Sequence, residues 1–176
     1  HESVQKALCS LETGLTGFDD IEIPGAPDHA SIVKALSRQT PDRLRLAAQA
    51  MRHGLSDDDI HAVTRFDPWF LARIREIVDE EARLILDGLP REPHALRRLK
   101  MLGFSDARLA TLTARNESSV RAERQRHGVR AVFKRIDTCG AEFEAQTPYM
   151  YSTYEAEAGG FVECESRPSD RRKVVI

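Results

Sequence analysis

Carboxylate, imidazole and thiol side chains are the groups from which a metal site or a catalytic centre would be built. Two acidic runs stand out, Asp57-Asp58-Asp59 and Asp79-Glu80-Glu81. Consecutive carboxylates on a helix point in different directions around its axis, so neither run converges on one ion. The first run is typical of an N-terminal helix turn, where the helix dipole favours negative charge. The second has arginines at three- and four-residue spacing, which predicts a solvated, partly paired helix face.

Histidine and cysteine do not form a recognisable site either. The six histidines include no pair spaced for a shared zinc ion and no nearby cysteine ligands. Cys9, Cys139 and Cys164 lie far apart, lack a histidine partner motif, and suit a reducing compartment better than a disulfide framework. The sequence also contains no phosphate-binding loop and no dinucleotide glycine pattern. We therefore expect no catalytic, cofactor-binding or metal-binding residue in this chain.

Charge and hydropathy limit the classes of partner. The 176 residues include 26 basic and 28 acidic side chains, for a formal net charge of -2. This balance argues against a function dominated by binding to phosphates, which needs a basic excess. No apolar run reaches the roughly 18 residues that would indicate a membrane span. We expect a cytoplasmic protein that binds neither membranes nor nucleic acid.

Helical periodicity dominates the first three quarters of the chain. Residues 2–11 place apolar side chains at helical spacing, and residues 18–27, with two prolines, are typical of a linker. The helical pattern resumes and continues over residues 28–128. Alternating apolar residues then predict extended chain over 129–134. A glycine pair opens a tail over 159–176, whose last three residues resemble the start of a strand.

The longest predicted helix covers residues 67–87. Asp67 is a suitable N-cap, and Pro68 occupies the first helical position, where its missing amide hydrogen costs nothing. Trp69 and Phe70 follow as candidates for a structural or subunit-interface role, since tryptophan is enriched in interfaces; burial of Trp69 in the core is the simpler alternative. The helix has one apolar stripe, which predicts its buried face. That stripe consists of Phe70, Leu71, Ile74, Ile77, Val78, Ala82 and Ile85.

The sequence repeats its helix signals at an offset of 49 residues. Gly54 and Gly103 can each end a helix in the left-handed conformation. Ser56 and Ser105 can each cap the helix that follows. Apolar residues flank both caps at the spacing of a hydrophobic staple. We therefore expect an all-α, multihelical fold of two similar helical subdomains with an extended C-terminal strap.

A DNA-binding function is the alternative that the residues leave open. Residues 104–126 are similar to a helix-turn-helix whose second helix carries Arg121, Arg124 and Arg126, side chains suited to phosphates or bases. Against this function, the first copy of the repeat has Trp69-Phe70-Leu71 where a DNA-reading helix needs polar residues. The slightly acidic net charge also argues against it.

Six segments are specific enough to suggest a relationship to a known family. They are Lys134-Arg-Ile-Asp-Thr-Cys, Thr147-Pro-Tyr-Met-Tyr-Ser-Thr-Tyr-Glu155, Gln5-Lys-Ala-Leu-Cys-Ser-Leu-Glu-Thr-Gly14, Asp57-Asp-Asp-Ile, Asp67-Pro-Trp-Phe-Leu and Gly103-Phe-Ser-Asp. These segments resemble the large subunit of carbamoyl phosphate synthetase, and the resemblance covers nearly the whole chain. The chain departs from the family at Cys9, where arginine is common, and at Gly140, where alanine is frequent.

The resemblance implies a division of the chain. Residues 1–17 would end an ATP-grasp half, residues 18–27 would form a linker, residues 28–158 would form the helical oligomerisation or connection domain, and residues 159–176 would lead into a second synthetase half. The helical domain would comprise subdomains of about 28–89 and 90–128 and a return strap over 129–158.

The resemblance also implies a function for the longer protein. The family makes carbamoyl phosphate from bicarbonate, glutamine-derived ammonia and two ATP, with magnesium or manganese, for pyrimidine and arginine biosynthesis. The present chain would be a structural part of that ligase and inactive alone. Its implied partners are a second copy of itself, the flanking ATP-grasp halves and the glutaminase small subunit.

The three tyrosines of the chain lie within six positions of the strap. On the implied organisation we expect Tyr149, Tyr151 and Tyr154 to be packing anchors against the helices rather than ligand contacts. Replacing Tyr151 by alanine would then lower the melting temperature.

Overall fold

The computed structural model describes residues 1–154 and 163–172, and these are mainly helical, which confirms the all-α class. The predictions for the tail at Gly159-Gly160 and Val174–Ile176 lie outside the described residues. In chain order the elements are α1 (Glu2–Ser10), α2 (His29–Leu36), α3 (Arg43–Arg52), α4 (Asp57–Thr64), α5 (Pro68–Asp87), α6 (Pro93–Met101), α7 (Asp106–Leu112), α8 (Glu117–Arg126), β1 (Val132–Arg135) and β2 (Met150–Thr153).

The two strands pair antiparallel, with Phe133 opposite Ser152. They form the small sheet of the strap, which follows the helices. Among residues 1–154 and 163–172, none of the helices combines the length and the apolar character that crossing a membrane requires.

The helix ends that the repeat predicts are present in both copies. Gly54 and Gly103 take positive φ angles of 90° and 92°. The side chains of Ser56 and Ser105 accept hydrogen bonds from the backbone amides three residues later, at 3.1 and 2.9 Å. These caps end α3 and α6 and begin α4 and α7 in the same way, so the helix ends are duplicated at the predicted offset.

The structural repeat includes the turn that follows the second helix of each copy. The hydroxyls of Thr64 and Thr113, 49 residues apart, each donate to the carbonyl four residues earlier at 2.7 Å. Each threonine is followed by a left-handed residue, Arg65 with φ 60° and Ala114 with φ 51°. Neither is glycine, so the sequence gives no local signal for this conformation. The turn after the second helix of each copy is therefore also duplicated.

A single hydrophobic core joins the predicted linker to the helices. Residues 18–27 contain no helix or strand, yet Phe18 is fully buried and Ile23 nearly so. Leu8 of α1 is buried in the same core. The N-terminal segment is thus packed as part of the helical domain, and the domain boundaries at 17 and 27 stay predictions. Fully buried helical members of this core include Ile32, Leu36, Ile60, Leu71, Leu96 and Leu109.

Helix α5 buries the centre of the predicted stripe, Leu71, Ile74, Ile77 and Val78, but its buried face also includes Glu81 and Leu84 and leaves out the ends of the stripe. Phe70 and Ile85, members of the predicted apolar stripe, are exposed by 55% and 67%. Asp79 is exposed as predicted, but the prediction of a solvated face is wrong for Glu80 and Glu81, which are buried. These two carboxylates can be buried because arginines from neighbouring helices pair with them.

The duplicated caps allow a matched test of how local and tertiary hydrogen bonds contribute to the free energy of unfolding. Ser56→Ala should lower the free energy of unfolding by about 1 kcal/mol, because it removes one N-cap. Ser105→Ala should cost more, since this hydroxyl donates to the carbonyl of Thr16, 89 residues away, at 2.8 Å, whereas the Ser56 hydroxyl donates to the exposed Asp59 carboxylate in its own helix turn. Urea denaturation of both variants measures the difference. Equal losses would show that the Thr16 contact adds nothing.

Candidate interaction surface

Two aromatic rings are held on the surface at the start of α5. The Asp67 side chain accepts a hydrogen bond from the Trp69 amide at 2.8 Å, and Pro68 occupies the first turn. Trp69 and Phe70 are exposed by 61% and 55%, and their rings meet edge to face with centroids 5.0 Å apart. The alternative of a core role for Trp69 is therefore wrong, and both residues remain interface candidates.

An apolar groove of about 450 Å³ lies beside these rings. Its walls come from α1, α3, the α4–α5 turn and α5 itself, and its floor includes the buried ring of Phe18. Such a groove next to exposed aromatic side chains is typical of an interaction site. We call it the aromatic groove; it is formed chiefly by Val4, Phe18, Leu44, Phe66, Trp69 and Phe70.

Arginines hold two of the groove's rings in place. The guanidinium of Arg43 lies 5.0 Å from the centre of the Phe66 ring, and that of Arg73 lies 5.8 Å from Trp69. Arg73 also pairs with Glu76 at 2.7 Å, and both side chains are substantially exposed. Cation–π contacts of this kind restrict the rings, so the groove is largely formed in advance.

A buried ion-pair network lies behind the groove. Glu81 of α5 pairs with Arg52 of α3 at 2.6 Å and with Arg108 of α7 at 2.8 Å. Both guanidiniums also donate to the backbone carbonyl of Phe18. The Glu81 and Arg108 side chains are each only 3% exposed. The network therefore joins both helix repeats and the N-terminal segment, and it places the Phe18 ring beneath the groove.

The sequence did contain a signal for this network. Glu81 lies four residues after Ile77 and three before Leu84, both of them buried. Helical spacing alone therefore puts position 81 on the inner face of α5. The acidic run drew attention to nearby arginines on the same helix, whereas the partners of Glu81 come from other helices.

A second ion-pair cluster binds the end of the strap. Asp106 pairs with Lys100 at 2.8 Å and with Arg124 at 2.9 Å. The ring of Tyr154 lies 5.3 Å from the Lys100 ammonium and 5.8 Å from the Arg124 guanidinium. Burial lowers the pKa of Lys100 and raises that of Tyr154. Burial also opposes ionisation of Asp106, but hydrogen bonds from Arg124 and Lys100 hold its pKa below the usual value.

The packing role predicted for the tyrosines applies to only one of them. Tyr154 is half-buried in the cluster just described. Tyr149 and Tyr151 are exposed by 67% and 45%, so the prediction that they anchor the strap is wrong. The reason is that the strap contacts α1 and the second repeat at its end, where Thr153 is buried and donates to Glu2.

The arginines proposed for DNA recognition are used within the domain. Asn116 caps α8 as predicted, accepting from the Ser119 amide at 2.8 Å. Arg124 pairs with Asp106, while Arg121 and Arg126 pair with carboxylates on their own helix. The structure therefore does not support the helix-turn-helix function.

Titratable groups elsewhere do not gather into a metal site. Within residues 1–154 and 163–172, no three histidine, cysteine, aspartate or glutamate side chains are placed to hold an ion. Cys9, Cys139 and Cys164 are free thiols. Burial and the nearby Asp19 carboxylate raise the pKa of Cys9, which disfavours its nucleophilic thiolate form.

Comparison with known proteins gives one consistent result. The sequence model of a family described as the carbamoyl-phosphate synthetase large chain, oligomerisation domain, matches residues 1–128. The chain is similar to the carbamoyl phosphate synthase large chains of Rhizobium meliloti (52% identical over 179 residues), Brucella melitensis (52% over 178) and Neisseria meningitidis serogroup B (47% over 177). These matches cover 99% of this chain but only 15%, 15% and 16% of the respective relatives.

Removing the buried charge should be far more harmful than removing an exposed one. Glu81→Gln removes the buried carboxylate that lies nearest to two largely buried guanidiniums and leaves them only the more distant carboxylates of Asp19 and Asp20, so it should lower the free energy of unfolding by about 3 kcal/mol. Glu76→Gln is the matched control on the same helix, and its exposed pair is worth less than about 1 kcal/mol. Chemical denaturation of both variants provides the measurement. Similar losses would contradict a central role for the network.

Two tyrosines of the strap provide a second matched pair of substitutions. Tyr154→Ala removes a half-buried ring and two cation–π contacts, so it should cost about 2 kcal/mol. Tyr151→Ala removes an exposed ring and should cost less than about 1 kcal/mol. Thermal unfolding followed by circular dichroism compares them. A larger effect at Tyr151 would restore the packing role predicted from sequence.

Proposed function

The chain belongs to the family of carbamoyl-phosphate synthetase large-chain oligomerisation domains, and on this premise we propose that it is a non-catalytic connector within a longer large chain. In that role it separates two ATP-grasp halves and offers surface for self-association. The match to the oligomerisation domain over residues 1–128 supports this role.

The observation that carries the proposal is the network around Glu81. A connector that sets the distance between two other domains must resist bending along its length. Arg52 and Arg108 come from different helix repeats, yet both bind Glu81 and the carbonyl of Phe18. Such a cross-link makes the N-terminal segment and the two repeats move as one body.

The longer protein would be an ATP-dependent ligase. We propose that it makes carbamoyl phosphate in the cytoplasm from bicarbonate and from ammonia that a glutaminase small subunit releases. ATP and magnesium or manganese would bind to the ATP-grasp halves, outside these 176 residues. The activity for which the relatives are named supports this proposal, and the chain spans about 15% of their length.

Self-association can be measured directly on the 176-residue chain. The family description leads us to expect a weight-average mass that rises with concentration toward about 1 mM, the range of a weak association. Light scattering coupled to gel filtration measures this mass, and circular dichroism checks that the sample is helical. A helical sample that stays monomeric at the highest concentration would argue against self-association by this domain alone.

The non-catalytic role makes a separate prediction. A purified sample of this chain should hydrolyse ATP no faster with bicarbonate than without it, because the ATP-binding residues lie elsewhere. A phosphate-release assay gives the two rates. Bicarbonate-dependent hydrolysis that persists through further purification would overturn the assignment.

A further inference from the structure

We infer that the aromatic groove is the docking site for the domain that precedes α1 in the longer large chain. This inference rests on the proposed function, because it requires the chain to be a domain within that longer protein. It assigns Trp69 and Phe70 to a contact between domains of one polypeptide rather than to the contact between copies.

The exposure of the groove shows that something apolar should cover it. Trp69 and Phe70 are large side chains with more than half of their surface in contact with solvent, and Leu44 beside them is 37% exposed. Each square ångström of apolar surface removed from water contributes about 25 cal/mol. A contiguous apolar surface of this kind marks an interaction site.

The position of α1 identifies the occupant. Ser3 and Val4, in the first turn of α1, line the groove together with Trp69. A polypeptide joined to the start of α1 therefore meets the domain beside the groove. The relatives contain this segment as only 15% to 16% of their length, which leaves ample chain to cover it. A tethered domain also docks at a high effective concentration, so a small groove is sufficient.

The groove defines the chemistry of the docked surface. A volume of about 450 Å³ accommodates a few aliphatic or aromatic side chains. Arg73 lies at the edge with its side chain 38% exposed, and a carboxylate on the incoming domain would pair with it. Because Phe18 is held by two arginines and Trp69 by one, docking requires little rearrangement of this domain.

Hydroxyl-radical footprinting of the large chain that contains this sequence tests the inference. A Trp69 ring that kept 61% of its surface would react at more than half the rate of the same residue in a free peptide. Docking should instead lower the rate to about a tenth, as in the core of an interface. This protection should not change when the protein is diluted, because the contact lies within one chain.

Two variants of the large chain complete the test. Phe70→Asp places a charge in the groove and should return Trp69 to the faster rate. Leu86→Asp is the matched control, since Leu86 is an exposed apolar residue of the same helix outside the groove, and Trp69 should stay protected. Protection that persists in Phe70→Asp would overturn the inference, because the groove contact would not be its cause.

Two further outcomes would also overturn it. Trp69 reacting at the fast rate in the unmodified large chain would show that the groove is uncovered. Protection that disappears on dilution would assign the groove to a second copy. In either case the proposed function would stand if the large chain still makes carbamoyl phosphate and still self-associates. Loss of both properties would refute the proposed function, whatever the reactivity of Trp69.

Discussion

A carboxylate buried between two guanidiniums is the constraint on which this fold depends. Removing the Glu81 carboxylate from water would be prohibitive if it were unpaired. Its two oxygens accept from Arg52 and Arg108, and both guanidiniums also donate to the carbonyl of Phe18. Every member therefore needs the others, and this requirement brings α3, α5, α7 and the N-terminal segment to one place. A purely apolar contact would tolerate sliding between these elements, whereas this arrangement does not.

The third helix of each copy has a different structural role. In the first copy the third helix, α5, has 20 residues and carries both the network and the aromatic groove. In the second copy the corresponding helix, α8, has 10 residues and a polar surface. Its Arg124 instead pairs with Asp106 and supports Tyr154 at the end of the strap. The same capping pattern thus accompanies an interaction surface in one copy and an attachment point for the strap in the other.

The surroundings of an exposed aromatic residue decide whether it is a candidate for docking. Trp69, Phe70 and Tyr151 are all exposed in this chain. The first two border a concave apolar surface that includes Phe18, whose backbone carbonyl the ion-pair network binds. Tyr151 lies on a short strand that pairs with β1. A concave apolar neighbourhood therefore distinguishes a candidate docking site from aromatic side chains that are merely exposed.

The sequence by itself determined where several of the helices begin and end, because caps act within about four residues. Glycines, serines and Asx residues at an offset of 49 were enough to predict the helical class and the duplicated helix ends, and the family resemblance followed from specific segments. It also singled out Trp69 and Phe70, although not the groove beside them.

Only the tertiary structure decided which partners the buried side chains meet. Helical spacing places Glu81 on the inner face of α5, but its partners lie 29 and 27 residues away along the chain, a distance over which local patterns carry no signal. Phe18 is a second example. The prolines of residues 18–27 predict a linker, but Phe18 is fully buried, and Arg52 and Arg108 bind its backbone carbonyl. Burial depends on what covers a residue, and that is set by the packing of distant segments rather than by the residue's own neighbours.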